Sequence, residues 1–451
     1  MDFSALRRLW TAKDLRNRLL ITAGLIILYR LLSHVLAPGA DAAVLTSARA
    51  AGSDLGFGFL DIVSGGTLSQ ASVLGMGVYP YITAQIILQL LTPLIPALKQ
   101  RMDDDPRGGR ELLEKWTMYL TIPMALINSI GQVQLIRSIT SSYGQAFPQF
   151  GLEASVLLST VTTLVSMTAG TMFAVWLGEL ISEYGLRGQG LSLIIFSGIV
   201  TRLPSNVISL WQNEATRWLS LLLFVVLFVI TIFAIVVITQ GRRNIPVMYP
   251  GRRIGFRQSM PVKGTLPLLV NMAGMIPIIF AGSILSLPQI LGGIFANNQL
   301  LPVQQFGRAL VAFNSQNWFY ILLEFLMVVA FTFFYTDVMF GQQDYGENLK
   351  RAGAQIPGIT KGESTQRYLN RVLRRITLPG ALLLGAIAVL PLIVGALLAA
   401  AFPGTGSTGA YNGFSAIGSG LLIAVGTVKE LFFNLDTELK TRGYDETLVV
   451  R

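Results

Sequence analysis

Residues 62–98, 264–307 and 376–428 pass without a single Asp, Glu, Lys or Arg. A water-facing surface cannot be built from runs of that length, whereas about 20 consecutive apolar residues cross the hydrocarbon of a bilayer. Read for apolar runs, the chain predicts ten helical spans. They lie at about 19–37, 74–97, 114–136, 154–179, 189–209, 217–240, 265–290, 317–340, 376–401 and 412–430. The stretch LLLFVVLFVITIFAIVVIT at 221–239 is rich in β-branched residues, but its length and lack of turn residues favour helix over strand. The segment FGFLDIVSGGTLSQASVLG at 57–75 breaks the pattern. It is apolar enough to enter a membrane, yet too short and too rich in Gly and Ser to cross one. Non-helical backbone is tolerated at membrane depth only where protein or a water-filled cavity surrounds it. The residues alone fit two forms, a half-helix re-entering from outside or an outer loop resting at the interface. Five spans plus five suggests a two-fold repeat.

Composition agrees. Of 451 residues, 52% are hydrophobic and 13% charged, where soluble domains average roughly a quarter charged. The basic residues decide orientation. With the N-terminus inside, the inner segments collect Arg7, Arg8, Lys13, Arg16 and Arg18, then Lys99, Arg101, Arg107, Arg110 and Lys115, and most of the rest. The outer side has only Arg49, Arg137, Arg217 and Arg308, a bias that places both termini in the cytoplasm and requires an even number of spans. The opening MDFSALRRLWTAKDLRNRLL is charged for too long to be a cleaved signal and reads as a retained cytoplasmic segment.

The chemistry of most enzymes is missing. No cysteine occurs, so there is no disulfide, thiolate metal site or cysteine nucleophile. No Gly-Lys pair occurs, so no phosphate-cradling loop of the GxxxxGK type exists. The single histidine, His34, reads as an interfacial side chain near the outer end of the first span. No catalytic residue, metal site or cofactor is expected. A secondary transporter of a small solute is the alternative, but such proteins place ionisable groups near the midplane. Here Arg30, Glu324 and Asp337 lie within spans, with Glu179 and Glu183 at a helix end. Glu324 and Asp337 are roughly 20 Å apart along one helix and cannot form a single site.

Four stretches together point to a family: SGGTLSQASVLGMGVYPYITAQIILQLLTP at 64–93, GTMFAVWLGELISEYGLRGQGLSLIIFSGIVTRLP at 170–204, LPLLVNMAGMIPIIFAGSIL at 266–285, and DYGENLKRAGAQIPGITKGESTQRYLNRVLRRITLPGAL at 344–382. On these motifs the chain resembles the SecY family, channel subunits of the bacterial Sec protein translocase. The resemblance implies an all-α membrane protein of ten transmembrane helices in two pseudo-symmetric five-helix halves, here 1–210 and 211–451. It implies a protein-conducting channel in the bacterial cytoplasmic membrane that passes secretory polypeptides and releases membrane segments sideways into lipid.

Carried over by motif, a pore ring would comprise Val78, Ile82, Leu191, Ile195, Ile276 and Ile423. Within each of the first two pairs the residues are four apart and share a helix face. A re-entrant plug at about 57–74 would include Phe59, Leu60, Ile62, Ser64, Gly65 and Gly66. A lateral gate between the second and seventh spans would use Thr83, Gln85, Gln89 and Asn271, which serve equally as generic helix–helix glue. The loops 241–264 and 341–375 would dock the ribosome and the motor ATPase SecA, with Arg252, Arg253 and Lys361 at their tips. One departure stands out: PGITKGE replaces the family's usual Pro-Gly-Ile-Arg-Pro-Gly, so Thr360 and Lys361 stand where an arginine fork is common. SecE, SecG, SecA, the ribosome, signal-bearing polypeptides and lipids are the implied partners; no DNA is.

Overall fold

A computed structural model describes residues 13–50, 70–92, 105–140, 143–151, 155–186, 188–212, 217–249, 253–254, 257–258, 262–296, 301–311, 317–342, 345–401, 420–421 and 423–435, with single positions between them. The expected plug residues Phe59, Leu60, Ile62, Ser64, Gly65 and Gly66 lie outside the described residues, as does Arg252.

The helices are α1 (Lys13–Leu32), α2 (Ala42–Ala50), α3 (Tyr79–Leu91), α4 (Pro106–Thr140), α5 (Leu157–Tyr184), α6 (Gly190–Gln212) and α7 (Arg217–Gln240). After four short strands come α8 (Ile276–Ala296), α9 (Leu301–Val311), α10 (Trp318–Gln342), α11 (Tyr345–Arg351) and α12 (Glu363–Ala401). Helical backbone returns at 423–435. Five helices of the described residues are long and apolar enough to cross a membrane, judged by length and composition: Glu111–Arg137, Leu157–Tyr184, Arg217–Gln240, Trp318–Arg351 and Glu363–Leu398. Shorter apolar stretches lie in α6 and α8, at Gly190–Thr201 and Ile276–Gly292. The full count of ten spans is a reading of the sequence.

These helices are built for lipid. In α7 only 22% of the most apolar window is buried, and Trp218, Leu222, Val229 and Phe233 all face outward. Exposed apolar surface on that scale marks a face that meets lipid or another protein rather than water. Interior polar groups follow the same logic. Thr117, Thr121, Thr140, Thr168, Thr332 and Thr427 each donate to the carbonyl four residues back, at 2.7–2.8 Å. The helix thus satisfies its own hydroxyls where water cannot.

Glycines set the close crossings, as small residues do wherever helices pack without a hydrophobic drive between them. A Cβ on Gly190 in α6 would strike the carbonyl oxygen of Gly178 in α5, and one on Gly170 would strike the Val73 carbonyl. Elsewhere α8 packs against α9, α10, α4 and α3, while α12 packs against α10 and α7.

The structure departs from the expected spans in three places. The second span is preceded by turns at 71–78, and α3 begins only at Tyr79, with Pro80 in its first turn and Gly77 at φ +50° just before it. Proline fits a first turn because it has no N–H to lose there. The seventh span does not start at 265. Residues 262–269 form strand β4, antiparallel to β1 (Arg242–Tyr249), so the basic loop is largely a hairpin, with β2 (Arg253–Ile254) and β3 (Arg257–Gln258) nearer its tip. The apolar alternation explains this: Leu268 is buried while its neighbours Pro267 and Leu269 are exposed, a period-two pattern that a helix cannot use. The ninth span starts early, since α12 runs unbroken from Glu363 through the basic segment into the apolar one.

Candidate functional site

The six ring candidates come from four parts of the chain and join one continuous apolar cluster. Val78, Ile82, Ile195 and Ile423 are buried; Leu191 and Ile276 are half-buried against the same cluster. Val78 caps α3 and Ile82 follows one turn later, so the Pro80 start of that helix aims both inward. Leu191 packs on Gly178 across the α5–α6 crossing, with its δ-carbon 2.8 Å from where a Cβ on that glycine would sit. Met275, next to Ile276, occupies the space a side chain on Gly426 would need. Gly426 lies three residues beyond Ile423, on the same face of its helix. Sequence reading passed over Met275 and Gly426, although a glycine inside a helical run is itself a sign that another group packs close.

The polar candidates behave differently. Thr83 is buried, and its hydroxyl donates to the Pro80 carbonyl of its own helix at 2.8 Å. Asn271, also buried, donates from Nδ2 to the Gly274 carbonyl at 2.9 Å, closing its own turn. Its Oδ1, like Oε1 of Gln89, is buried without a hydrogen-bond partner. Gln85 and Gln89 are half-buried. Among the described residues, the side-chain hydrogen bonds that cross from α3 to α8 belong instead to Tyr79.

The two basic loops, separate in sequence, meet in space. Met248 of β1 and Gln355 exchange backbone hydrogen bonds of 2.8 and 2.9 Å. Beneath them Ile245, Val247, Leu268, Phe340, Leu349, Ala354, Ile356, Leu369, Val372 and Leu373 form a core distinct from the main one. Arg253 lies in β2. Lys361 is exposed, and its ammonium donates to the Gly353 carbonyl at 3.0 Å, bridging the short turn between α11 and α12. Thr360 accepts at its carbonyl from Thr365 at 2.9 Å.

At the base of this module Arg374 of α12 grips Asp337 of α10 through two guanidinium nitrogens, Nη2 at 3.0 Å and Nε at 3.4 Å. The pair is largely exposed, so solvent screens it. Asp337→Asn is expected to lower stability by only about 0.2–1 kcal/mol, measured as the thermal midpoint in detergent; a loss of several kcal/mol would contradict that screening. Glu324, by contrast, is buried in α10. Neither α8 nor residues 376–401 of α12 carry an ionisable side chain to meet it. His34 is exposed, with its Nδ1 2.8 Å from the Arg30 carbonyl.

The SecY family model matches residues 72–432. A protein translocase subunit SecY from Streptomyces coelicolor is 35% identical over 449 residues, covering 98% of this chain and 99% of that one. Among solved structures, one concerns the SecY plug domain as stabiliser of the closed translocation channel; it aligns with a TM-score of 0.64 at 17% identity over 96% of this chain and 95% of that one. Canine Sec61 in its ribosome–channel complex from the endoplasmic reticulum aligns with a TM-score of 0.61 at 15% identity, over 96% of this chain and 95% of that one.

Proposed function

The chain belongs to the SecY family, and from that premise we propose how its residues conduct a polypeptide. It is a protein translocase subunit that forms a protein-conducting channel; the small-solute transporter finds no support. Val78, Ile82, Leu191, Ile195, Ile276 and Ile423 form the waist of the pore. An aliphatic constriction excludes ions by dewetting, yet its side chains yield around an extended chain because no polar bond must break. The observation that supports this best is their common apolar cluster, assembled from α3, α6, α8 and the last helical segment.

The halves 1–210 and 211–451 part along the face where α3 and α4 meet α8, letting apolar segments pass to lipid between α3 and α8. Residues 57–74 plug the resting channel from the outer side. The joined loops carry the docking surface for the ribosome and SecA, where Arg253 and neighbouring cations meet phosphates largely as point charges. Lys361 contributes there as a single charge, without an arginine's planar fork. Sec61, a structural neighbour, is seen on a ribosome, which favours that assignment. SecE clamps the halves and SecG joins them, in the bacterial cytoplasmic membrane with both termini inside. Since the chain has no nucleotide loop, the drive comes from translation, SecA or the proton-motive force.

Reconstitution tests this reading. Proteoliposomes holding the chain with SecE and SecG are expected to import a pre-protein when SecA and ATP are added. Failure to import, with solute-dependent ion flux in its place, would overturn it.

A further inference from the structure

Tyr79 opens α3 with its ring buried and its hydroxyl directed across to α8. The hydroxyl donates to the Ser283 carbonyl at 3.0 Å and lies 2.7 Å from Oγ of Ser286. Ser286 Oγ in turn donates to the same Ser283 carbonyl at 2.8 Å. Three oxygens therefore sit in one buried triangle, and two hydroxyl protons serve its three short edges. The participants are more than 200 residues apart in sequence. Of the other polar groups on these two segments, Thr83 bonds to Pro80 and the Asn271 amide nitrogen to Gly274, each within its own turn, while Ser283 Oγ, Gln89 Oε1 and Asn271 Oδ1 are buried without a hydrogen-bond partner.

We propose that Tyr79 is the latch of the α3–α8 seam, the residue whose hydroxyl sets how readily this channel opens sideways. The inference deepens the channel reading above and rests on it. A buried phenol needs a partner, and Tyr79 is buried from the water that could otherwise exchange with its bond. Opening the seam strips Tyr79 of both partners at once, while the two serines keep each other. The cost of opening therefore falls on the tyrosine side. This also makes Tyr79→Phe a clean deletion: the ring keeps filling its space, and Ser286 remains satisfied by the Ser283 carbonyl, so no orphan group is left behind. Ser286→Ala is milder, because the tyrosine keeps its bond to the carbonyl. A single interhelical bond of this kind in a membrane interior shifts an open–closed ratio about threefold to tenfold. That is enough to tune which signal segments succeed without locking the gate.

The test uses the complex with SecE and SecG in proteoliposomes, with two pre-proteins that differ only in the strength of the signal segment. Tyr79→Phe is expected to raise import of the weak-signal substrate about threefold to tenfold and leave the strong one unchanged. Ser286→Ala should give a smaller rise, and the double variant no more than Tyr79→Phe alone. Because the chain has no cysteine, spin labels at Leu91→Cys on α3 and Leu291→Cys on α8, both exposed, report the seam independently of transport. Their separation should shift or broaden in Tyr79→Phe. Wild-type import with unchanged substrate discrimination and an unchanged label distance in Tyr79→Phe overturns the latch alone. Absence of import by the wild-type complex overturns the channel reading beneath it.

Discussion

Replacing Gly190 by leucine is expected to abolish recovery of folded protein. A Cβ at this position meets the Gly178 carbonyl oxygen, with the carbonyl carbon 2.6 Å and the Ser182 hydroxyl 2.8 Å away. Backbone atoms cannot rotate aside as a side chain can, so α5 and α6 must separate. Overpacking in a core costs about 1–3 kcal/mol when side chains absorb it. Here they cannot, and the loss approaches the 5–15 kcal/mol that holds a typical domain together. The crossing also carries Leu191, which packs on Gly178, so even a surviving fold would have a displaced ring. The measurement is the monodisperse fraction after detergent extraction, beside Gly24→Leu as control, since nothing lies within 4 Å of a Cβ on Gly24. Recovery of Gly190→Leu at the control's level would show that the two helices do not need their close approach.

Converting both Ile82 and Ile195 to asparagine should turn a sealed resting channel into a leaking one. These residues are 6% and 2% exposed and lie in the cluster proposed as the waist. A dry aliphatic constriction excludes ions because water within it has nothing to bond to. Two amides supply such partners and favour wetting by about 1–3 kcal/mol each. At 1.4 kcal/mol per factor of ten, resting conductance rises at least about tenfold. The leucine double variant keeps the surface apolar and should stay sealed. Planar-bilayer conductance of the resting complex distinguishes them. If the asparagine pair conducts no more than the leucine pair, the waist lies elsewhere.

Much of this molecule was legible before any coordinates. The apolar run at 217–240 is α7 residue for residue, because a helix in lipid is decided by length and hydropathy alone. The span at 114–136 falls inside α4, and that at 317–340 lies in α10 but for its first residue, for the same reason. Where the prediction failed, two periodicities competed. TLPLLV at 265–270 has the hydropathy of a membrane helix, yet its alternation lets Leu268 join Ile245 and Val247 in the core of the joined loops. That core exists only once Leu369, Val372 and Leu373 of α12 arrive to complete it, and no local window contains both segments. Tyr79 left a fainter signal. A tyrosine in an otherwise apolar run must find a partner for its hydroxyl, but nothing nearby in the chain names Ser283 or Ser286.

By itself, then, the amino-acid order determined the solvent of each segment and the family to which the motifs belong. Both follow from properties summed over neighbouring residues: hydropathy over about 20 positions, and side-chain types at fixed spacing. The tertiary structure alone decided which polar groups meet across α3 and α8, that two basic loops share one core, and how closely α5 and α6 approach. Those outcomes depend on directional bonds and steric contacts between residues distant in sequence. Such terms have no value until the chain has brought their partners within bonding distance.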